Sequence, residues 1–198
     1  MRSSLVLTLV ALLALAPAAL AGGGRPTTVV TYQPFGASGL KQSIKVDETL
    51  TGSCFAGSSA SPRRDAWRCS ATNEIYDPCF SGASADAGYV VCPEFGLSPR
   101  SVDRIDLTSP LPSSGNTGDA SSGKGLPWRL LARPYAGYCS LVTGTRGSYR
   151  GRKISYVCGL GGSLVGKPNR SSRAWTAKLL TEGDNPTLYT VTIRIAWY

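Results

Sequence analysis

No histidine occurs anywhere in the 198 residues, and methionine occurs once. Without an imidazole, Ser-His-Asp and Cys-His nucleophilic machinery and every His-ligated metal site are excluded. There is no Cys-x-x-Cys, so zinc-ribbon and thioredoxin-type chemistry fall away. The Gly-rich stretch Gly159-Leu160-Gly161-Gly162 lacks both the G-x-x-x-x-G-K-[ST] spacing and a following helical pattern, so no phosphate loop is read there. No metal and no cofactor are expected. After residue 21 no apolar run approaches the ~20 residues that a membrane-spanning helix needs. Sustained helical periodicity is missing too, because Pro, Gly and Ser interrupt every window before three turns accumulate.

What is present begins with an export signal. Met1-Arg2 precedes the apolar run Leu5 to Leu15 and then Ala19-Leu20-Ala21, a small-x-small cleavage site. The expectation is a signal peptide at 1–21 without a lipobox, and a secreted or extracytoplasmic mature chain from residue 22 to residue 198. All six cysteines, Cys54, Cys69, Cys79, Cys92, Cys139 and Cys158, follow the signal, and an even count in an oxidising compartment points to disulfides. Such pairing leaves no cysteine nucleophile.

Period-two alternation carries the fold. In the last segment Tyr189, Val191, Ile193, Ile195 and Trp197 alternate with Thr190, Thr192, Arg194, Ala196 and Tyr198, which predicts a strand with one apolar face. Further strands are expected at Val29–Tyr32, Tyr89–Cys92, Arg104–Leu107 and Trp175–Leu180. One short helix is expected from Ser61-Pro62, through Asp65, Ala66, Trp67 and Cys69, to about Ala71, with Ser as cap and Pro in the first turn. The class is all-β, mainly antiparallel and sandwich or barrel-like, with that one helix and a disulfide staple. Residues 112–125, rich in Gly and Ser, read as a flexible loop inside a single domain.

The cysteines also suggest register. If Cys139 faces Cys158, antiparallel pairing sets Leu141 opposite Tyr156 and Thr143 opposite Ile154, all on one largely apolar face. The other four cysteines admit several pairings. The expected one joins neighbours, Cys79 with Cys92 across a Gly- and Ala-rich turn and Cys54 with Cys69. At several of these positions the chain resembles an uncharacterised family of secreted six-cysteine proteins of high-GC bacteria. The stretches that carry the resemblance are Gly52-Ser53-Cys54-Phe55, Asp65-Ala66-Trp67-Arg68-Cys69, Asn73, Asp77-Pro78-Cys79-Phe80, Cys92-Pro93, Pro127-Trp128, Cys139, Tyr156 with Cys158, and Ala196-Trp197. Phe55 departs from the family's Trp. The resemblance implies export and disulfides, not a mechanism.

Charge divides the chain. Residues 22–120 carry eight Lys and Arg against ten Asp and Glu, whereas residues 121–198 carry twelve against two. In the basic half, Arg146, Arg150, Arg152, Lys153, Lys167, Arg170 and Arg173 interleave with Tyr149 and Trp175. Guanidinium groups hold phosphates and carboxylates bidentately and aromatic rings stack on bases or sugars, so these nine residues are the expected ligand site. The function read from them is a non-enzymatic binding module for an anionic cell-envelope polymer or other polyanion. The alternatives are a secreted inhibitor or protein-interaction module, with a protein partner outside the cell, and a His-free hydrolase using two of Asp65, Glu74 and Asp77.

Overall fold

The computed structural model describes residues 24–82, 88–113 and 125–198. The signal peptide read at 1–21 lies outside them, as do residues 83–87 and 114–124 of the two Gly-rich segments. Among the described residues every regular element is a strand, and no helix is long and apolar enough to cross a membrane.

A short strand β1 (Thr28–Val30) and a two-residue ladder of β2 (Phe35–Gly36) with β3 (Gly39–Leu40) precede a closed barrel. That barrel follows chain order through β4 (Lys45–Gly57), β5 (Ala66–Ala71), β6 (Glu74–Phe80), β7 (Tyr89–Pro93) and β8 (Ser101–Leu107). Neighbours are antiparallel, and β8 returns to lie parallel to β4. The second sheet runs through β9 (Arg129–Arg133), β10 (Gly137–Leu141), β12 (Arg152–Cys158), β13 (Ser163–Asn169), β14 (Thr176–Leu180) and β15 (Leu188–Trp197), while β11 (Ser148–Tyr149) pairs with the start of β12. Antiparallel pairing of β15 with β9 joins the ends of this path into a ring, and β1 lies parallel against the end of β15. Closure of both sheets leaves few strand edges open.

The helix expected near Trp67 is not formed: Ala66–Ala71 is β5. The same residues satisfy a period of two. Trp67, Cys69 and Ala71 point into the first barrel, and Ala66 points out of it. With β4 on one side and β6 on the other, both backbone edges of the segment are hydrogen-bonded, which an isolated helix of under three turns cannot match.

All three disulfides join the expected partners, Cys54–Cys69, Cys79–Cys92 and Cys139–Cys158. Cys54 and Cys139 each face their partner directly across antiparallel strands, and Cys79–Cys92 flanks the pair Phe80 and Val91. The predicted register holds from Cys139 and Cys158 through Leu141 and Tyr156, after which β10 ends, so Thr143 is not paired with Ile154; Ile154 instead faces Val165 on β13. The apolar face of β15 is also modified. Val191 and Ile193 are buried, but a bulge between Ile193 and Ile195 changes the parity, and Ala196 rather than Ile195 is fully covered.

Two cores result. Leu50, Trp67, Val90, Ile105 and four half-cystines fill the first barrel. Its outer face, built from Ala66, Phe80, Val91 and Val102, joins the second sheet's interior in one larger cluster. Strand β7 is thus apolar on both sides, which explains the run Tyr89-Val90-Val91-Cys92. Where the sheets meet, Tyr32, Phe80 and Trp128 form a triangle of tilted and edge-on rings with centroids 4.9, 5.2 and 5.6 Å apart. Backbone also meets backbone there: a Cβ on Gly96 would lie 2.8 Å from the Gly159 Cα, and one on Gly159 2.5 Å from the Gly96 carbonyl oxygen. The glycine run rejected as a phosphate loop is therefore a contact surface between sheets.

Candidate functional site

The nine residues expected to bind a ligand separate into two groups. In the first, Tyr149 faces Arg152 and Ser148 faces Lys153 across a two-residue turn, Arg150-Gly151, whose φ angles of 49° and 74° suit the turn that links twisted strands. The ten-residue tip is therefore a small hairpin of its own, with the Gly147 carbonyl accepting from the Ile154 N–H at 2.9 Å. Alternation sends Arg152 and Lys153 to opposite faces. The Arg150 guanidinium lies 5.2 Å from the centre of the Tyr149 ring.

The second group gathers at Arg170, exposed just after β13. Its guanidinium lies 4.7 Å from the Trp175 ring and 5.9 Å from that of Tyr198, and it donates to the Gly125 carbonyl at 2.9 Å. Burial pushes the Tyr156 hydroxyl far above its ordinary range; Arg170 and Arg146 both pull it down, which brings Arg146 to the same neighbourhood. Tyr156 donates to the Pro127 carbonyl at 2.9 Å. Lys167 is exposed on β13 and Arg173 is exposed in the bend before β14. All ion pairs among the described residues lie between Lys45 and Asp106, so Arg150, Arg152, Lys153, Lys167, Arg170 and Arg173 meet no described carboxylate. Tyr198 was not read from the sequence as part of this group; its outward parity at the end of β15 was the available signal.

The three carboxylates considered for hydrolysis have separate employments. Asp65 pairs with Arg63. Asp77 accepts from the Ser58 hydroxyl, from the Ser59 N–H at 3.1 Å and hydroxyl at 3.0 Å, and from the Ala60 N–H at 3.4 Å, and so fixes the loop after β4. Glu74 is exposed and lines a cleft of about 1100 Å³ that the sequence did not suggest.

That cleft opens between one end of the first barrel and the outer face of β9, β10 and β12. Antiparallel order brings the starts of β4, β6 and β8 and the end of β7 to the same end, and with them Asp47, Glu48, Glu74, Asp103 and Glu94. Glu48 is directly opposite Asp103 on the parallel pair β4 and β8. Lys45, then Ser101, donates to Asp47 and holds it below the usual carboxylate range. Burial first, then Asp47, raises Glu94; burial first, then Glu48, Asp47 and Glu74, raises Asp103. The facing wall carries Arg129, Ser140 and Val157, which are directly opposed across three strands. Arg129 is 2 % exposed, and burial lowers its pKa to about 10. Its Nη1 donates to the Glu94 and Leu97 carbonyls at 2.7 and 2.6 Å, and its Nη2 to the Pro93 carbonyl at 3.3 Å.

Comparison with protein-family models, with curated proteins and with solved structures finds no match for the chain.

Proposed function

We propose that the protein is an exported, non-enzymatic binding module that holds an anionic polymer of the cell envelope on the basic side chains of its second barrel. The observation that carries this reading is the Arg170 site. A guanidinium held by a carbonyl and flanked by Trp175 and Tyr198 presents charge beside ring faces, the combination that takes a phosphate together with a base or sugar. Six exposed cations without a described carboxylate partner extend the same field, which favours polyanions over small neutral ligands. Asp65 and Asp77 are engaged in holding the fold, which supports a binding role over hydrolysis.

The test is affinity for a poly(glycerol phosphate) and for DNA measured across a salt series. Binding should weaken linearly on a log–log plot, and Arg150→Ala, Arg152→Ala and Lys153→Ala together should reduce the slope by about 2 to 3, close to one for each lost phosphate contact. Arg170→Ala should weaken binding and lower the preference for ligands that carry rings. Binding that ignores salt, or that survives all four substitutions, would sink the proposal.

A further inference from the structure

The carboxylate-lined cleft is independent of the basic face, and its construction works against the fold. Like charges set directly opposite each other on neighbouring strands destabilise a sheet, yet Glu48 faces Asp103. Asp47, Glu74 and Glu94 crowd the same barrel end, and Lys45 is the one cation that pairs with any of these five among the described residues. Arg129 faces this end from the opposite wall, but its guanidinium donates to the Pro93, Glu94 and Leu97 carbonyls rather than to these carboxylates. Departures of this kind from local consistency concentrate at functional sites.

The opposite wall supplies the second observation. Arg129, almost wholly buried, lines the cleft with its Nε–H lacking an acceptor, and the Ser140 hydroxyl directly across β10 is likewise buried and unpartnered. Buried donors are satisfied in folded proteins or await a ligand atom. A carbonyl oxygen would complete both. Val142 and Val157 line the same wall, with Phe95 and Ile75 each 59 % exposed in the cleft's lining.

A fitting ligand carries cations for the carboxylates, carbonyl oxygens for Arg129 and Ser140, and apolar groups for the valines. The described residues hold no cluster of three or more carboxylate or cysteine ligands that could bind a metal ion, which favours an organic cation. We propose that the cleft is a receptor for an extended, lysine- or arginine-bearing peptide segment of a partner protein. Its cationic side chains meet Glu48, Glu74 and Asp103, and its backbone carbonyls turn toward Arg129 and Ser140.

The experiment is fluorescence anisotropy of the whole protein with an acetylated, amidated Lys-Leu-Lys-Val-Lys peptide at about 0.15 M salt, where only close ion pairs keep their strength. Saturable binding is expected, weakened about tenfold or more in the Glu48→Gln/Asp103→Asn variant and by Ser140→Val. The Glu-for-Lys peptide should not bind. Spermidine, which has the charge without the carbonyls, should compete poorly. Because the double amide variant relieves repulsion, its thermal midpoint should equal or exceed that of the parent chain, so lost binding is not lost folding. Arg150→Ala/Arg152→Ala/Lys153→Ala should leave this peptide's affinity unchanged, which separates the cleft from the basic face. The inference is overturned if the peptide does not bind, if Glu48→Gln/Asp103→Asn binds as the parent does, or if spermidine displaces the peptide at equal concentration.

Discussion

Replacing Arg129 with Met sets two comparable effects against each other, and the sign of the result decides which is larger. At pH 7 the guanidinium is charged in both the folded and unfolded states, because even the lowered value of about 10 is well above neutrality. The two short bonds to the Glu94 and Leu97 carbonyls are worth about 1.5 to 3 kcal/mol each, as expected for a charged donor. Against them stands the cost of burying the charge. A pKa brought from 12.5 to about 10 corresponds to about 3 kcal/mol against the charged form. Methionine fills a similar volume, loses the bonds and removes the burial cost, so the net loss should be about 2 kcal/mol. Arg129→Ala should lose more, since it also leaves a cavity. In differential scanning calorimetry at pH 7, about 2 kcal/mol corresponds to a fall of roughly 4 to 8 °C in a chain of this size. The reasoning fails if Arg129→Met matches or exceeds the parent midpoint. In that case desolvation would outweigh the carbonyl bonds, and residues 93–97 would be held by the Gly96 and Gly159 contact instead.

Removal of the Cys139–Cys158 bridge by paired Ala substitution should lower the unfolding free energy by about 3 kcal/mol, the loop-entropy value for a separation of 19 residues, read from urea denaturation. The far-UV spectrum should not change, because β10 and β12 stay registered by Leu141 opposite Tyr156. A loss under about 1 kcal/mol would show that the unfolded chain was not constrained by that loop. Alkaline pH should also destabilise the protein. Burial raises the hydroxyls of Tyr32 and Tyr156 while the unfolded chain titrates near 10, so the stability these groups contribute is complete below about pH 10 and is lost as pH rises beyond it. Tyr156→Phe should make the fall in urea midpoint between about pH 9 and 11 shallower; an unchanged profile would contradict the assignment.

How far the sequence carried the fold depended on whether a signal was local. Period two in residues 189–197 and the apolar runs at 89–92 and 175–180 mark strands because alternation is a property of the chain itself. The disulfide partners were legible for a related reason, since each bridge closes a short segment between neighbouring strands. The segment at 61–71 was misread because its signals, a cap, a proline and a Trp on one side, suit a short helix, while the hydrogen bonds that make it a strand come from β4 and β6. The bulge before Ile195 is equally non-local, arising where β15 meets β9.

The candidate sites divide in the same way. Composition alone put the cations in residues 121–198 and excluded imidazole chemistry, because a missing side chain is missing in every conformation. The Arg170 group needed the last residue, Tyr198, to return beside residue 175, and the tip needed its turn before its cations could be assigned to two faces. The cleft was decided entirely by tertiary structure. Asp47, Glu48, Glu74, Glu94 and Asp103 are spread over more than fifty residues, with no spacing to unite them. They meet because the alternating directions of five strands return every second strand end to one rim, and because β8 closes on β4 in parallel. Arg129 faces them from the other sheet, since closure of each barrel leaves an outer face that must pack on, or open toward, its neighbour.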